Sequence, residues 1–458
     1  MIRVPILGAW RTGKQVHRTR TDRNVSRCTR TSLRSVSWPA RSKPAKMSAS
    51  RHGILPKATA LRDHYDFIRT QAELEALCRW LSDVPRIAFD TEFVSEHTYR
   101  PVLCLVQVAA ADRLAVIDTL PLEDLRPFWE VIAREGCETI VHAGREETLF
   151  CYDAIGRPPA AIFDVQLAAG LVGTEYPAGY GNLIQRVLGK TPQKGETRTD
   201  WRRRPLSKRQ LQYALDDVRY LEPLYDHLRD QLNQRGRMEW LTAETDTWLT
   251  SVIDSRTLDR WRRVSGSSGL APRSLAVVRE VWRWRETEAQ RRDLPPRKVL
   301  RDDLIVELAK RRTAEPKQLR AVRGMERGDV QRALPEIAKA VRLALDLPDS
   351  ECPRQQRRDT NSHASMLVQF LASALSSICR QAEVATSLVG TAEDVRELIS
   401  ARLGERRSDR PPALTQGWRA EVVGNLLDDL IGGRTSIRIA DPRSDHPLSF
   451  DAFPTEGE

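Results

Sequence analysis

The spacing of apolar and polar positions changes several times between residues 61 and 255. Apolar residues recur at helical spacing over 71–81, and three short apolar runs separated by polar breaks follow. Short strands ahead of any long helix are typical of an antiparallel meander, and the later alternation of strand and helix indicates a mixed sheet flanked by helices. The pattern therefore predicts an α/β domain. Its predicted elements are strands at 86–90, 102–109, 113–118 and 139–143 and helices at 123–134, 146–155, 164–172 and 207–234.

The second half of the chain has helical spacing almost throughout. A Gly- and Ser-rich stretch at 265–269 suggests a linker, and residues 275–345 then keep a helical period that prolines interrupt. A second helical segment covers 364–431, whereas the Gly-, Pro- and Asp-rich residues 432–458 are expected to be loose. The sequence therefore predicts two helical modules in tandem behind the α/β domain.

Length and composition limit the class of protein. A chain of 458 residues is long enough for several domains, and no apolar stretch approaches the roughly 18 residues that a membrane span requires, so we expect a soluble protein. The seven cysteines are scattered without a C-x-x-C pair, which argues against a disulfide framework and against a zinc site. This pattern favours a reducing cytoplasm.

Positive charge is concentrated at the start of the chain. Residues 1–50 hold twelve Lys and Arg side chains and one acid, a net charge of +11 that equals the net charge of the whole chain. Only local clusters can therefore support nucleic-acid binding by the rest of the protein. Residues 1–50 lack a lasting hydrophobic period and are predicted to be a disordered basic tail. Three interpretations remain open, namely a nucleic-acid-binding arm, an organelle transit peptide, or sequence upstream of a start at Met47; the last, or a plain flexible tail, is favoured.

Two carboxylates follow an apolar run at the end of the first strand of the meander. In Ile87-Ala-Phe-Asp-Thr-Glu-Phe93, Asp90 and Glu92 are two residues apart, so on a strand they project to one face while Thr91 points away. Two acids on one rigid face suit a hard divalent cation such as Mg²⁺ or Mn²⁺. An isolated D-T-E is more often an acidic turn, so this hypothesis depends on the rest of the chain.

Two further stretches carry groups that would complete such a site. Tyr213 and Asp217 are four residues apart in a predicted helix and share one face, although this spacing is common on solvated helices. His142 ends a predicted strand and leads into a helix with Glu146 and Glu147 in its first turn, where acids also complement the helix dipole. Each stretch alone is a weak signal.

In this order and with their connecting sequence, the three stretches resemble the ribonuclease D family of 3′→5′ exonucleases, the tyrosine branch of the DEDD superfamily. The resemblance covers about 65–255, and residues 270–345 and, more weakly, 362–435 are similar to helicase-and-RNase-D C-terminal (HRDC) domains. The segments similar to the family are Phe89-Asp-Thr-Glu-Phe93, Tyr99-Arg-Pro101, Leu105-Val-Gln107, Phe163-Asp164-Val-Gln166, Thr197-Arg-Thr-Asp-Trp201 and Arg204-Pro-Leu206.

The resemblance implies a fold and an activity. The expected architecture is a ribonuclease H-like mixed-sheet exonuclease domain at 61–255, an HRDC domain at 270–345 and a second, divergent HRDC-like domain at 362–435. The expected activity is metal-dependent 3′→5′ hydrolysis of RNA to nucleoside 5′-monophosphates, in the processing of tRNA precursors or other structured RNA 3′ ends. We expect a cytoplasmic monomer that does not bind membranes.

The resemblance also implies the roles of the site residues. Two Mg²⁺ or Mn²⁺ ions would be held by Asp90, Glu92, Glu147 and Asp217. Tyr213 would orient the attacking water rather than act as a strong base, since the unperturbed pKa of a tyrosine is about 10.

One position departs from the family's pattern. The second motif normally supplies an aspartate, whereas this chain has Glu147, which reaches one methylene, about 1.5 Å, further from the backbone. Shifts of about 1 Å matter for phosphoryl transfer, so either the backbone has retreated or the second metal is held loosely. Nearby, His142 is expected to set the turn rather than bind metal, and Asp164 either supports the site or only caps a helix.

RNA contact is assigned to a basic cluster between the second and third motifs. Eight cations fall within twenty residues there, and such a loop can follow a phosphate backbone while an aromatic side chain stacks on a base. The expected contacts are Arg198, Trp201, Arg202, Arg203, Arg204 and Lys208.

Two other functions compete with this hypothesis. The chain is either a non-catalytic RNA-binding protein in which the change at Glu147 has disabled the chemistry, or a 3′→5′ DNA exonuclease. No residue in the sequence identifies itself as a reader of the 2′-hydroxyl, so the preference for RNA depends on the resemblance.

Overall fold

The computed structural model describes residues 64–173, 175–192, 199–354, 362–404 and 410–453. The basic tail predicted at 1–50 and the predicted RNA contact Arg198 lie outside the described residues. Within the described ranges, no helix combines the length and the apolar character needed to cross a membrane.

The first part of the described chain alternates strands and helices after an opening meander. Two of its helices begin at polar caps. The side chains of Thr70 and Ser207 each accept a hydrogen bond from the backbone N–H of the third helical residue, and the side chain of that residue accepts one from the backbone N–H of the cap. The elements are β1 (Asp66–Ile68), α1 (Gln71–Leu81), β2 (Arg86–Val94), β3 (Val102–Ala110), β4 (Arg113–Asp118), α2 (Arg126–Ile132), β5 (Glu138–Val141), α3 (Arg145–Ile155), β6 (Ala161–Asp164), α4 (Val165–Leu171), α5 (Tyr180–Leu183), α6 (Lys208–Arg219), α7 (Leu221–Gln234) and α8 (Met238–Thr257).

The six strands of this part form one mixed sheet in the order β1-β4-β3-β2-β5-β6. Strands β2, β3 and β4 are antiparallel neighbours, as the meander predicts, while β5 and β6 continue the sheet parallel to β2. The structure confirms the predicted α/β fold class. Strand β2 lies inside the sheet: β3 pairs with it along the two acids, whereas β5 pairs with it only as far as Ala88.

Helices cover both faces of the sheet. On one face, the ring of Phe89 lies edge-on to Phe128 and Trp129, with centroid distances of 5.7 and 6.0 Å. Side chains of the other face, such as Ala88, pack against α6 through Ala214. Alternation along β2 assigns its two acids to this second face, so they lie under α6.

The second half of the described chain is helical, as predicted, and ends in a hairpin. The helices of 272–346 surround a hydrophobic core of their own, to which Val277, Ile305 and Ile337 contribute fully buried side chains. The elements are α9 (Pro272–Arg291), α10 (Pro296–Val299), α11 (Asp302–Arg311), α12 (Pro316–Arg320), α13 (Gly328–Asp346), α14 (Ser362–Gln381), α15 (Thr386–Val389), α16 (Ala392–Arg402), α17 (Gly417–Val423), α18 (Leu426–Ile431), β7 (Thr435–Ile439) and β8 (Leu448–Ala452).

Helices α14 to α18 share a hydrophobic core with the α/β domain. Leu388 belongs to the same continuous cluster as Leu171 of α4. The approach is close at Gly170, because a Cβ there would lie 2.4 Å from Leu388 Cδ1, and the N–H of Ala385 donates to the Gly170 carbonyl at 2.8 Å. A separate domain at 362–435 stays a prediction; its helices complete the core of the α/β domain.

Helix α8 makes a second contact with these C-terminal helices. Trp240 stacks on Trp418 with ring centroids 5.4 Å apart, and the indole N–H of Trp418 donates to the Glu244 carboxylate at 3.2 Å. Arg419 lies 2.7 Å from the same buried carboxylate. The interface therefore combines aromatic packing with a paired buried charge.

Two predicted elements differ from the structure. The single helix predicted at 207–234 is two helices, because the chain bends at Tyr220 between α6 and α7. A loose end was expected after residue 432, but β7 and β8 pair there, with Ile437 opposite Phe450. The Asp and Pro residues that suggested a loose end lie in the turn between these strands.

A buried ion pair ties the loop before α6 to the end of β4. The guanidinium of Arg204 donates to the two oxygens of Asp118 at 2.6 and 2.8 Å, and also to the carbonyls of Cys104 and Trp201. Asp118 is only 1% exposed, so the Arg204 guanidinium, and not water, compensates the negative charge of its carboxylate.

We expect Arg204→Met to lower the free energy of unfolding by about 3–5 kcal/mol, because it leaves the Asp118 carboxylate buried and unpaired. Urea denaturation followed by circular dichroism measures this change. Arg203→Met is the matched control, since the Arg203 side chain is 86% exposed and should cost less than about 0.5 kcal/mol. Equal stability of the two variants would show that the Asp118 pair contributes little.

Candidate active site

Strand β2 and helix α6 bring three carboxylates together. Asp90 and Glu92 project from β2 and meet Asp217 of α6, and one oxygen of each lies within 4.8 Å of the other two. The register of β2 against β3 shifts between Glu92 and Phe93, so an irregularity follows directly after the second acid before pairing resumes at Phe93. In the described part of the chain, these three residues form a group close enough to share one cation.

Tyr213 lies one helical turn before Asp217 on α6, as its spacing predicts. The Tyr213 hydroxyl donates a hydrogen bond to the Asp217 carboxylate. Its ring lies 6.1 Å from the ring of Trp201, which is buried behind it. Helix α6 therefore presents a carboxylate and a phenol together, and the phenol is supported from behind.

Glu147, in the first turn of α3, approaches this group from another side. It is 6% exposed and is not one of the three carboxylates that lie within 4.8 Å. Its Oε1 accepts a 2.6 Å hydrogen bond from the hydroxyl of Thr91. The sequence predicted that Thr91 points away from its two acidic neighbours but gave no signal of this partner.

The turn that positions Glu147 is held by Asp164. The Asp164 carboxylate accepts hydrogen bonds from the backbone N–H groups of Ala143 and Gly144, both at 3.1 Å, and caps α4 through the N–H of Gln166 at 2.8 Å. Ala143 has φ +56°, and a Cβ on Gly144 would lie 2.4 Å from a side chain of β5. Asp164 thus fills both roles that the sequence left open.

His142 has structural contacts. One ring nitrogen lies 2.9 Å from the carbonyl oxygen of Ala178, which also accepts a 2.9 Å hydrogen bond from the Gln166 amide. The imidazole packs against the ring of Tyr180 at 5.2 Å. These contacts agree with the expected role of His142 in setting the turn after β5.

Burial raises the pKa of each of these carboxyl groups, and repulsion by the neighbouring acids of the site adds to the shift at Asp90, Glu92 and Glu147. Burial, and then the charge of Asp217, hold the pKa of Asp90 well above its usual value. Burial, and then the charge of Asp90, raise the pKa of Glu92 to about 10 and that of Glu147 to about 8. Burial also raises the pKa of Asp217 to about 7, although the hydrogen bond from Tyr213 opposes this shift. Negatively charged groups therefore crowd this site when they ionise, and a bound cation would stabilise their ionised forms and lower their pKa values.

The donor set suits a divalent metal. Carboxylate oxygens are the ligands that hard cations such as Mg²⁺ and Mn²⁺ prefer, and here they are half-buried and lie on a strand and a helix. The geometry can therefore hold a divalent ion next to a phenol, the arrangement used for metal-assisted hydrolysis of phosphate esters.

Two of the predicted RNA contacts are contradicted by their surroundings. Trp201 is 2% exposed and packs against Tyr213, so its ring cannot stack on a base. The Arg204 guanidinium donates its hydrogen bonds to Asp118 and to backbone carbonyls, so in this arrangement it does not bind a phosphate. Both predictions were wrong because the sequence shows a basic, aromatic run but not which members turn inward.

The other predicted contacts in the described chain face solvent. Arg202, Arg203 and Lys208 are exposed, and Arg202 pairs with Asp200 at 2.9 Å. An exposed pair of this kind is weak, so it can be exchanged for a phosphate. RNA binding by these three residues stays a prediction.

Comparison with known proteins agrees with the geometry. Residues 65–233 match the model of a 3′-5′ exonuclease family, and residues 274–341 match the model of the HRDC domain. The chain is 33% identical over 378 residues to Ribonuclease D of Nitrobacter hamburgensis, covering 82% of this chain and 97% of that protein. It is 36% identical over 380 residues to Ribonuclease D of Acidiphilium cryptum, covering 81% and 94% of the two chains.

A solved structure gives the same result for the fold. The crystal structure of Escherichia coli RNase D, an exoribonuclease involved in structured RNA processing, matches with a TM-score of 0.71 at 26% identity. The match covers 81% of this chain and 99% of that one. With the acidic motifs in the family's order and an HRDC domain behind them, this chain belongs to the ribonuclease D family.

Proposed function

We propose that this chain is a metal-dependent 3′→5′ exoribonuclease that releases nucleoside 5′-monophosphates from RNA 3′ ends. The observation that carries the proposal is the meeting of Asp90, Glu92 and Asp217 within 4.8 Å, beside Tyr213, in a 3′-5′ exonuclease domain. A purely RNA-binding protein has no use for a cluster of half-buried carboxyl groups that repel one another when ionised, so the non-catalytic alternative is not favoured.

Two divalent ions, Mg²⁺ or Mn²⁺, are the proposed cofactors. Asp90, Glu92, Asp217 and Glu147 would hold them, and their oxygen-only donor set and raised pKa values support this assignment. When bound, divalent cations supply the Lewis acidity that lowers the pKa of a water and neutralises charge on a phosphate.

The chain's own groups orient the reactants. The Tyr213 hydroxyl, fixed by its hydrogen bond to Asp217, would align the attacking water with the last phosphodiester. The Thr91 hydroxyl lies on the opposite side of β2 from Asp90 and Glu92 and donates to the Glu147 carboxylate. This bond would keep Glu147 at a constant distance from the acids of β2. Such positioning matters because phosphoryl transfer depends on in-line alignment.

The proposed RNA path follows the exposed cations just before and at the start of α6. Arg202, Arg203 and Lys208 face solvent there, the first two in the loop before α6 and Lys208 at the first position of the helix that carries Tyr213. Contacts to phosphates are independent of sequence and weaken with salt. The proposed substrates are tRNA precursors or other structured RNA 3′ ends, and the proposed state is a cytoplasmic monomer.

The purified full-length protein should shorten single-stranded RNA from its 3′ end with Mg²⁺ or Mn²⁺ and not with EDTA. Denaturing gels of 5′-labelled RNA and DNA ladders would show activity, polarity and sugar preference together.

Asp90→Asn should abolish hydrolysis because it removes a metal ligand. Its melting temperature without divalent ions should equal or exceed that of the wild type, since one repelling carboxyl is gone. Hydrolysis by this variant at the wild-type rate would refute the proposal.

We expect Glu147→Asp to lower kcat by about 10-fold or more, because the shorter side chain loses the Thr91 hydrogen bond and shifts by about 1 Å. Steady-state degradation of a short RNA measures the effect. Glu146→Asp is the matched control, one residue earlier in the same helical turn, and should retain its rate. A faster Glu147→Asp enzyme would mean that the native glutamate impairs the site.

Stability without divalent ions should fall as the pH rises from about 4.5 to about 10, because Glu92, with a folded pKa of about 10, keeps its proton throughout this window. Asp217 and Glu147 release their protons near 4 when unfolded but have folded pKa values of about 7 and about 8, so below about pH 8 the folded state binds more protons at these groups as well. Mg²⁺ binding displaces these protons, so the rise in melting temperature on adding Mg²⁺ should grow with pH. Thermal unfolding in EDTA and in Mg²⁺ at several pH values tests this; a rise independent of pH would contradict it.

A further inference from the structure

Gln107 is a buried polar side chain next to the carboxylates, at the end of the Leu105-Val-Gln107 segment, and the roles described above leave it without a function. It lies in β3 at 0% exposure, and neither its amide oxygen nor its amide nitrogen has a hydrogen-bond partner among the described residues. Burying an unpaired amide is unfavourable, and most buried side-chain amides in proteins have partners. The position of Gln107 in the sheet indicates which group it serves.

Strand register places Gln107 directly opposite Asp90. The two residues are paired across β2 and β3, so their side chains project to the same face with Cβ atoms about 5 Å apart. On the other side, Gln107 is paired with Val116 of β4, which is apolar. Asp118, on the diagonal, is already bound by Arg204. On β2, Asp90 lies directly opposite Gln107 and Glu92 lies on the diagonal, so Asp90 is the nearer of the two site carboxylates that the amide of Gln107 faces across the sheet.

Other carboxylates of the site have a side-chain donor. Tyr213 donates to Asp217, and Thr91 donates to Glu147. Asp90 accepts a hydrogen bond from the backbone N–H of Thr91. Carboxylates that bind metals are generally oriented by hydrogen bonds from a surrounding layer of residues, and loss of such a donor weakens metal binding.

We propose that Gln107 is a positioning residue that donates from its amide nitrogen to the Asp90 carboxylate in the metal-loaded protein, and so sets the affinity for the divalent cation. This inference rests on the metal site proposed above. Gln107 touches neither the RNA nor the attacking water in this role. It fixes the direction of one carboxylate oxygen of Asp90, as Tyr213 does for Asp217 and Thr91 does for Glu147.

The test uses Gln107→Met, which removes the amide at similar length and volume, and Gln107→Leu as a second variant in case the first misfolds. Calorimetric titration of the full-length protein with Mn²⁺ should show a dissociation constant raised about 10-fold. The Mg²⁺ concentration for half-maximal RNA hydrolysis should rise in parallel, while kcat at saturating Mg²⁺ should change less than about threefold. The melting temperature in EDTA should stay the same or rise, because two unpaired polar atoms leave the core.

Thr139→Val is the matched control, since Thr139 is a fully buried polar residue in β5 of the same sheet and pairs with Ile87, away from the acids. It should leave Mn²⁺ binding unchanged. Wild-type Mn²⁺ affinity in the Gln107 variants, or a melting temperature lowered equally with and without Mn²⁺, would overturn the inference. If instead the wild type binds Mn²⁺ but leaves RNA intact, the exoribonuclease proposal fails and the role of Gln107 in metal binding is still measured.

Discussion

The close approach of the carboxyl groups of Asp90, Glu92 and Asp217 is the constraint on which the rest of this structure depends. Ionising these groups side by side is unfavourable, because burial and the neighbouring acids hold the pKa values of Asp90 and Glu92 far above their usual values. An interior strand and a helix packed over it hold the three groups at this distance. The hydrophobic core thus supplies the free energy that keeps the acids together, and the site is ready for a cation without rearrangement.

Support for the site comes from residues that are separated along the chain and converge on β2. Thr91 holds Glu147 from the face opposite the acids, and Asp164 holds the turn before α3. Arg204 anchors the loop that leads into α6 by binding Asp118. Thr91, Asp164 and Asp118 are buried and each has a hydrogen-bond partner, so a change in any of them would shift a carboxylate of the site through a short chain of contacts.

Local spacing predicted the meander, the shared face of Asp90 and Glu92, and the pairing of Tyr213 with Asp217, because strand and helix periods determine them. It could not predict contacts between distant residues. Thr91 and Glu147 are 56 residues apart, and Asp118 and Arg204 are 86 apart. The same limit explains the errors. Trp201 and Arg204 belong to a run that suggested a solvated RNA-binding loop, but tertiary packing turns both of them inward. The hairpin of β7 and β8 was missed because its turn residues dominated a short segment.

The shared core of the sheet domain and the C-terminal helices has a consequence for how the protein is made. Ser387 lies 211 residues beyond Tyr176, to whose carbonyl it donates a hydrogen bond. The catalytic region is thus a discontinuous folding unit, and helices α9 to α13, which have their own core, form an insertion within it. During synthesis from the N-terminus, helices α9 to α13 can fold as soon as they emerge from the ribosome. The surfaces of α4 and α8 that contact the C-terminal helices stay exposed until α14 to α18 have been synthesised. Nascent chains that stop before α14 would therefore expose the apolar surface of α4 and α8 on an otherwise synthesised exonuclease domain.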